Sequence, residues 1–151
     1  MYILVTSILK PFDVFRTSMI AVISDSHIPK RAKEIPEEFH EKLENADISV
    51  HCGDFVSREF KEKDEEHGEL VAVKGNCDHF ELEPSQTFEK EGLKFGAYHG
   101  SGITPRGHHP TLVKTAETSS CEVLFHGHSH QEEAVKKDGK VYCCEHCASS
   151  Q

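Results

Sequence analysis

Short aliphatic runs that alternate with helical segments are the feature that most constrains the fold of this chain. Runs at residues 20–23, 48–51 and 70–73 have the length and apolar content of buried strands. Apolar residues recur at helical spacing over 35–46, and 56–66 has the mixed charges of a surface helix. The order strand, helix, strand, helix, strand predicts parallel pairing through right-handed crossovers in an α/β fold.

The second half of the chain is richer in strands. Strand patterns cover 87–89, 93–98 and 123–126, and a helix is predicted over 110–119. A hairpin is predicted around residues 137–140, where an Asp-Gly pair supplies the turn.

The length of 151 residues predicts one domain. We expect this domain to span 19–151, because Met19 stands directly before the first aliphatic run. Residues 1–18 do not fit that pattern, and they lack the basic start and the cleavage site of a signal peptide. They are expected to be a loosely ordered extension, or to lie upstream of a natural start at Met19.

Charge and cysteine content exclude several classes of protein. The chain has 17 basic and 26 acidic residues, a net charge of −9, so no basic nucleic-acid-binding patch is expected. No apolar run is long enough for a transmembrane helix, which predicts no membrane partner. Three of the six cysteines crowd at Cys143, Cys144 and Cys147, too close together for an ordinary disulfide framework. A reduced protein in the cytoplasm is the interpretation that we favour.

Oxygen and imidazole side chains follow five of the predicted strands. They are Asp25 and His27, then Asp54, Asn76, His99, and finally His128 and His130. Ligands of open α/β folds collect beyond the carboxyl ends of strands. Carboxylate and amide oxygens suit Mn²⁺, Mg²⁺ or Fe, imidazoles suit Zn, Fe or Ni, and the mixture is typical of hydrolytic centres with two divalent ions. One carboxylate must bridge the ions, and Asp54 is the best candidate, since a glycine precedes it at the middle strand end.

Each of these signals is weak alone. A lone Asp-x-His or Gly-Asp occurs by chance in many loops, and an isolated histidine beside a strand is more often structural than a ligand. A metal-storage protein would explain the 12 histidines but not their ordered placement. The ordered set is therefore the stronger indication.

The complete motif string D-x-H, G-D, G-N-x-D, H and G-H-x-H, from Asp25 to His130, resembles that of the calcineurin-like metallophosphoesterases. The Gly-Asn-Cys-Asp variant and the small size are similar to the short bacterial and archaeal phosphodiesterases, whose fold the vacuolar retromer subunit shares. The resemblance covers residues 19 to about 145. It implies two mixed β-sheets packed as a sandwich and flanked by helices, in four layers.

The resemblance also implies a ligand set and a reaction. The first ion would be bound by Asp25, His27 and His130, the second by Asn76, His99 and His128, with Asp54 as the bridge. The implied activity is phosphodiester hydrolysis by in-line attack of a metal-bridging hydroxide, with Mn²⁺ favoured and Ni, Fe, Zn or Mg as alternatives. His27 or His130 would position the nucleophile, and Asn76 would help to hold the phosphate oxygens.

Two further residues are expected next to the ligands. Where Cys77 stands, many relatives have a histidine that acts on the leaving group; cysteine is a poor general acid, which predicts a preference for good leaving groups. A cysteine that merely fills a small space is an equal alternative. Asp78 is expected to accept a hydrogen bond from a ligand's imidazole N–H and so to orient that ring.

The chain departs from the family pattern in two places. His99-Gly100-Ser101 replaces a His-Gly-His of many relatives, and the end from Cys143 onward replaces their last strand, which puts closure of the second sheet in doubt. A weakly ordered tail is expected there, with a separate zinc or redox role for Cys144 and Cys147 as an alternative. The rival function is a catalytically weak scaffold for protein–protein interaction. The physiological ester and the oligomeric state stay open.

Overall fold

Two β-sheets face each other in the computed structural model of this chain, which describes residues 4–8, 18–131, 133–137 and 139–144. The strands are β1 (Leu4–Ile8), β2 (Ser18–Ile23), β3 (Ile48–His51), β4 (Leu70–Ala72), β5 (Ser85–Lys90), β6 (Leu93–Tyr98), β7 (Val123–His126), β8 (Glu133–Lys137) and β9 (Lys140–Cys144). The helices are α1 (Glu37–Asn45), α2 (Arg58–Glu65) and α3 (His109–Thr118).

The first sheet has the order β1-β2-β3-β4. Strands β2, β3 and β4 are parallel, with α1 and α2 as the crossovers, so the predicted parallel pairing is confirmed. The backbone ladder continues past the strand ends, because the N–H groups of Asp25 and His27 donate to the carbonyl oxygens of Gly53 and Asp54 at 2.9 and 3.0 Å. This continuation fixes the loops that follow β2 and β3 side by side.

The second sheet has the order β5-β6-β7-β9-β8. Its central strands β6, β7 and β9 are parallel, whereas β5 and β8 pair antiparallel at the edges. Strands β8 and β9 form the predicted hairpin, and α3 is the crossover from β6 to β7.

The space between the sheets is filled by side chains from both. This shared core consists of Ile20, Val22, Ile48, Val50, Cys52, Val71, Val73, Phe95, Ala97 and Phe125. Each fully buried aliphatic or aromatic side chain contributes about 1.5–3 kcal/mol to folding. Phe95 stacks on Phe88 and on Phe125, with ring centroids 5.1 and 5.8 Å apart. Alternate residues of β2 and β7 therefore face inward, and the two sheets form a sandwich.

Helices cover the outer faces of the sandwich. Phe39 and Leu43 of α1 pack on Ala21 and Ile23 of the first sheet. Leu112 and Ala116 of α3 pack with Leu124 of the second sheet. The molecule thus has four layers, as the family resemblance implies. Within the described residues, no helix has the length and apolar character needed to cross a membrane.

Two segments near the ends of the chain lie in strands. Leu4–Ile8, part of the segment expected to be loosely ordered or to lie upstream of a natural start, forms β1 and pairs antiparallel with β2, whereas 1–3 and 9–17 lie outside the described residues. Cys143 and Cys144, expected in a weakly ordered tail, lie in β9, where they pair with residues of β7 and β8 in the second sheet. Cys147 lies outside the described residues.

Candidate metal centre

The loops that follow β2, β3, β4, β6 and β7 meet at one edge of the sandwich. They bring together the side chains singled out at the strand ends, which are Asp25, His27, Asp54, Asn76, His99, His128 and His130. Every member of this set lies within a few ångströms of another member. The predicted convergence of distant segments is therefore present in the structure.

Asp25 joins the end of β2 to the end of β7. Its Oδ1 lies 4.0 Å from His27 Nε2 and 3.7 Å from His130 Nε2. Its Oδ2 accepts hydrogen bonds from the Ser24 hydroxyl and, at 3.0 Å, from the backbone N–H of His128. One carboxylate oxygen is thus held by the protein, and the other faces two imidazole nitrogens.

Asp54 lies between the two groups of side chains. Its Oδ2 is 3.6 Å from His27 Nε2, and its Oδ1 is 3.6 Å from His99 Nε2. Oδ1 also accepts the backbone N–H of Cys77 at 2.7 Å. A carboxylate whose two oxygens face different histidines has the geometry of a bridging ligand.

The orientation of His99 favours a cation. Its Nδ1 lies 2.7 Å from the carbonyl oxygen of Cys52, so Nδ1 carries the proton and donates it. In the neutral ring, Nε2 then presents a lone pair, and it lies 3.1 Å from the amide oxygen of Asn76. A cation beside both atoms would satisfy these two acceptors. The donor set therefore fits a divalent ion.

Burial favours neutral imidazoles in this cluster. Desolvation lowers the pKa of His27, and the nearby Asp54 carboxylate opposes part of that effect. Desolvation also lowers the pKa of His128, helped by His99, whose ring centroid is 5.0 Å away. Neutral imidazole is the form that binds metals.

The backbone is strained where the ligands lie. Asp25, His27, Asp54, His128 and His130 have φ values of 51°, 47°, 61°, 64° and 56°. The left-handed region costs a non-glycine residue about 1–3 kcal/mol, and such residues cluster at functional sites. The surrounding fold must stabilise these conformations.

Two glycines allow the close approach of the loops. A Cβ on Gly75 would overlap Oδ1 of Asp54, and a Cβ on Gly127 would overlap Oγ of Ser24. Both positions lie against side chains of the centre. The glycines of the G-N and G-H motifs are therefore needed for space.

The structure gives Asp78 partners other than the expected imidazole. Its carboxylate accepts the backbone N–H groups of Asp54, Val56 and Gly75 at 2.9, 2.7 and 2.8 Å. Among the residues that the structure describes, no imidazole donates to it. Asp78 is next to the ligands, as expected, but it fixes the loop that carries Asp54 and does not orient a ring.

His51 has a similar supporting position. It is fully buried, its Nδ1 accepts the Gly53 N–H at 3.2 Å, and its Nε2 lies 3.0 Å from the Ser26 hydroxyl. Desolvation holds its pKa well below the usual value, so the ring is neutral. It connects the loops after β2 and β3.

The sequence reasoning missed two groups that orient ligands. Ser24 donates to Asp25, and the carbonyl oxygen of Cys52 holds His99. The position of Ser24 directly before the D-x-H motif is a signal that could have been used. A backbone carbonyl leaves no signal in the sequence.

The sulfur of Cys77 lies among the candidate ligand atoms. One ligand atom each of His27, Asp54 and Cys77 lies within 4.8 Å of the others, and the same holds for Asp25, Asp54 and His99. The structure thus has two overlapping groups that could hold an ion, and Asp54 belongs to both.

Comparison with known proteins identifies relatives of the chain. The sequence profile of the calcineurin-like phosphoesterase superfamily domain matches residues 19–144. A "probable metallophosphoesterase" of Methanocaldococcus jannaschii is 35% identical over 114 residues, which are 76% of this chain and 59% of that protein. A second protein of that description, from Methanothermobacter thermautotrophicus, is 36% identical over 116 residues, or 75% of this chain and 67% of its own length.

A similar fold occurs in a solved structure. Vacuolar protein sorting 29 from Cryptosporidium parvum has a TM-score of 0.79 and 24% identity, covering 84% of this chain and 72% of that one. At that identity the likeness concerns the fold. The chain spans about 59% of the length of the first curated relative and 67% of the second.

Proposed function

Since the chain belongs to the calcineurin-like phosphoesterase superfamily, we propose that it is a divalent-metal-dependent phosphoester hydrolase, and more specifically a phosphodiesterase with two ions. The observation that carries this proposal is the position of Asp54, whose two carboxylate oxygens each lie 3.6 Å from a different histidine. Two oxygens that face different histidines are placed to serve two ions.

We assign each group of side chains to one ion. The first ion would be held by Asp25, His27 and His130, because the Nε2 atoms of both histidines face Oδ1 of Asp25. The second would be held by Asn76, His99 and His128, with Asp54 shared. Mn²⁺ is favoured by the carboxylate and amide ligands, with Ni, Fe, Zn or Mg as alternatives.

When bound, two divalent ions supply a hydroxide nucleophile at neutral pH and neutralise charge on the phosphoryl oxygens. The side chains of this chain provide the positioning. His27 and His130 fix the place of the nucleophile, because both lie against Asp25. Asn76 is exposed and His130 is 29% exposed, whereas His27 and Asp54 are buried. The substrate therefore approaches from the side of Asn76 and His130, where the Asn76 amide can hold a phosphate oxygen during in-line displacement.

The proposed substrate is a small phosphodiester, or a phosphoester more generally. The net charge of −9 favours a small-molecule substrate over the phosphate backbone of a nucleic acid. The preference for good leaving groups expected from Cys77 stays a prediction. A cytoplasmic location fits the free thiol of Cys77.

The test is hydrolysis of an aryl phosphodiester by the purified full chain with Mn²⁺, Ni²⁺, Mg²⁺ or a chelator. We expect activity that the chelator abolishes and that Asp54→Asn lowers at least about 1000-fold, or about 4 kcal/mol in barrier. Glu81→Gln, which removes one exposed carboxylate three residues after Asp78, is the matched control. A wild-type rate in Asp54→Asn, with its metal content also unchanged, would contradict the proposal.

A protein-binding scaffold is the second candidate. The similarity to vacuolar protein sorting 29 favours it at the level of fold. All the ligand positions of the family motif are filled here, which favours the enzyme. Metal bound by the purified protein without turnover of any phosphoester would favour the scaffold.

A further inference from the structure

Cys77 is held beside the candidate ligands by two contacts. Its backbone N–H donates to Oδ1 of Asp54 at 2.7 Å, so the main chain fixes this residue against the bridging carboxylate. The side-chain amide of Asn76 donates to its sulfur at 3.4 Å. The side chain is only partly buried, and a cation entering the site would meet its sulfur.

The sulfur belongs to a group that could ligate an ion. Ligand atoms of His27, Asp54 and Cys77 lie within 4.8 Å of one another, and Asp25 Oδ1 lies 4.0 Å from His27 Nε2. One ion at this place could therefore contact the nitrogen of His27, a carboxylate oxygen of Asp54 and the sulfur of Cys77. The family motif ligands supply only nitrogen and oxygen, so the sulfur changes the softness of the site.

We propose that Cys77 is a conditional metal ligand: soft divalent ions such as Zn²⁺ and Cd²⁺ recruit its sulfur beside His27 and Asp54, whereas Mn²⁺ and Mg²⁺ leave it unligated. Thiolates select soft ions, while carboxylate and amide oxygens suit the harder ones. On binding, the S–H bond breaks, the proton passes to solvent, and a sulfur lone pair forms the bond to the cation. Nothing is oxidised or reduced. The inference rests on the metal centre of the proposed function.

Recruitment of the sulfur would change which ions the site prefers. Zinc is bound by thiolate, imidazole and carboxylate ligands, and three protein ligands leave one position open for water. Zn²⁺ and Cd²⁺ are therefore expected to bind more tightly than Mn²⁺.

The direct readout is the ultraviolet thiolate-to-cadmium charge-transfer band. The metal-stripped full chain, kept reduced with a phosphine, is titrated with Cd²⁺ as wild type, Cys77→Ser and Cys77→Ala. Cys147→Ser, which removes a thiol far along the sequence from the motif residues, is the matched control. Circular dichroism checks that each variant is folded.

Both Cys77 variants are expected to lose the band intensity of one thiolate and to bind Cd²⁺ more than about 100-fold more weakly, since even the loss of an outer-shell partner costs about 10–100-fold. Their Mn²⁺ affinity should stay at the wild-type value, and Cys147→Ser should retain the wild-type band. A full band in Cys77→Ser, or loss of the same intensity in Cys147→Ser instead, would overturn the inference.

The two proposals fail separately. A Cys77-dependent cadmium band in a protein that hydrolyses no phosphoester keeps the ligand inference and removes the proposed function. Mn²⁺-dependent hydrolysis without any Cys77-dependent band keeps the function and removes the inference.

Discussion

Buried carboxylates occur in two regions of this molecule, and their surroundings are opposite. Asp54 and Asp78 at the metal centre are 2% and 3% exposed, and Asp64 on α2 is 2% exposed. Asp78 accepts three backbone N–H groups. Within the described part of the chain, neither carboxylate oxygen of Asp64 has a hydrogen-bond partner. The comparison shows that burial alone does not indicate how a carboxylate is used.

The difference has an electrostatic consequence for Asp64. Desolvation raises its pKa to about 7, and the adjacent Glu65 adds to the effect. Asp64 also lines a cavity of about 320 Å³ together with residues 28–35 and His40, and no candidate metal ligand lines it. The metal centre stabilises its charges through the backbone, whereas α2 has a carboxyl group that is easier to bury when protonated.

The largest effect is expected from a substitution that crowds the metal centre. In Gly75→Ala the new Cβ would overlap Oδ1 of Asp54, so the bridging carboxylate must move. Small misplacements of catalytic groups cost about 100-fold, and we expect at least that loss in kcat/KM with Mn²⁺. Gly102→Ala is the control, because the nearest atom to its Cβ would be Tyr98 Oη at 3.6 Å. Equal activity of the two variants would show that Asp54 need not be held in place.

A smaller effect is expected from Asp78→Asn. The amide can accept through one atom only, so part of the anchoring of the Asp54 loop is lost. Mn²⁺ affinity, measured by calorimetric titration, should fall about 10–100-fold. Glu81→Gln removes an exposed charge three residues away and should leave the affinity unchanged. If both variants bound Mn²⁺ like the wild type, the anchoring role of Asp78 would be wrong.

The smallest effect is expected from Asp64→Asn, which should raise the stability of the folded protein instead of impairing it. The folded pKa of about 7 lies above the ordinary 3.8, so the wild type loses stability as pH rises between these values. The full ionisation cost is about 4 kcal/mol above pH 7, but asparagine also buries an unpaired polar group. We expect a gain of about 1–2 kcal/mol at pH 8 and none at pH 4.

Urea unfolding at several pH values checks this prediction, with the exposed Glu62→Gln as control. The informative quantity is the difference between variant and wild type, because the acids of the metal centre titrate equally in both. A difference that did not grow from pH 4 to pH 8 would mean that Asp64 stays charged or has a partner when folded.

The sequence allowed the fold and the convergence of the motif residues to be predicted for a physical reason. Carboxyl ends of parallel strands lie at one edge, so Asp25 and Asp54 after neighbouring strands must be close. The sandwich was predicted from the family resemblance, and so was the position of His130, which reaches the site from the second sheet. The individual catalytic roles are still predictions.

Other features could not be predicted because they depend on backbone contacts or on pairing over long distances. The donors to Asp78 are main-chain N–H groups, which every residue except proline has, so sequence could not distinguish them from an imidazole. Strand β1 pairs with β2, but no pattern in residues 4–8 predicts β2 as the partner. Cys144 and Cys147 have the spacing of half a zinc site, but the place of Cys143 and Cys144 in β9 depends on β7 as a neighbour.

The contact between Asp25 and His128 spans 103 positions of the chain and joins a loop of one sheet to a loop of the other. An ion bound there would contact ligands from both sheets, so it would bind only when both sheets are folded and packed together. Its binding energy then adds to the cohesion of the two sheets. Removal of the metal is therefore expected to lower the free energy of unfolding of the domain as well as to abolish its activity.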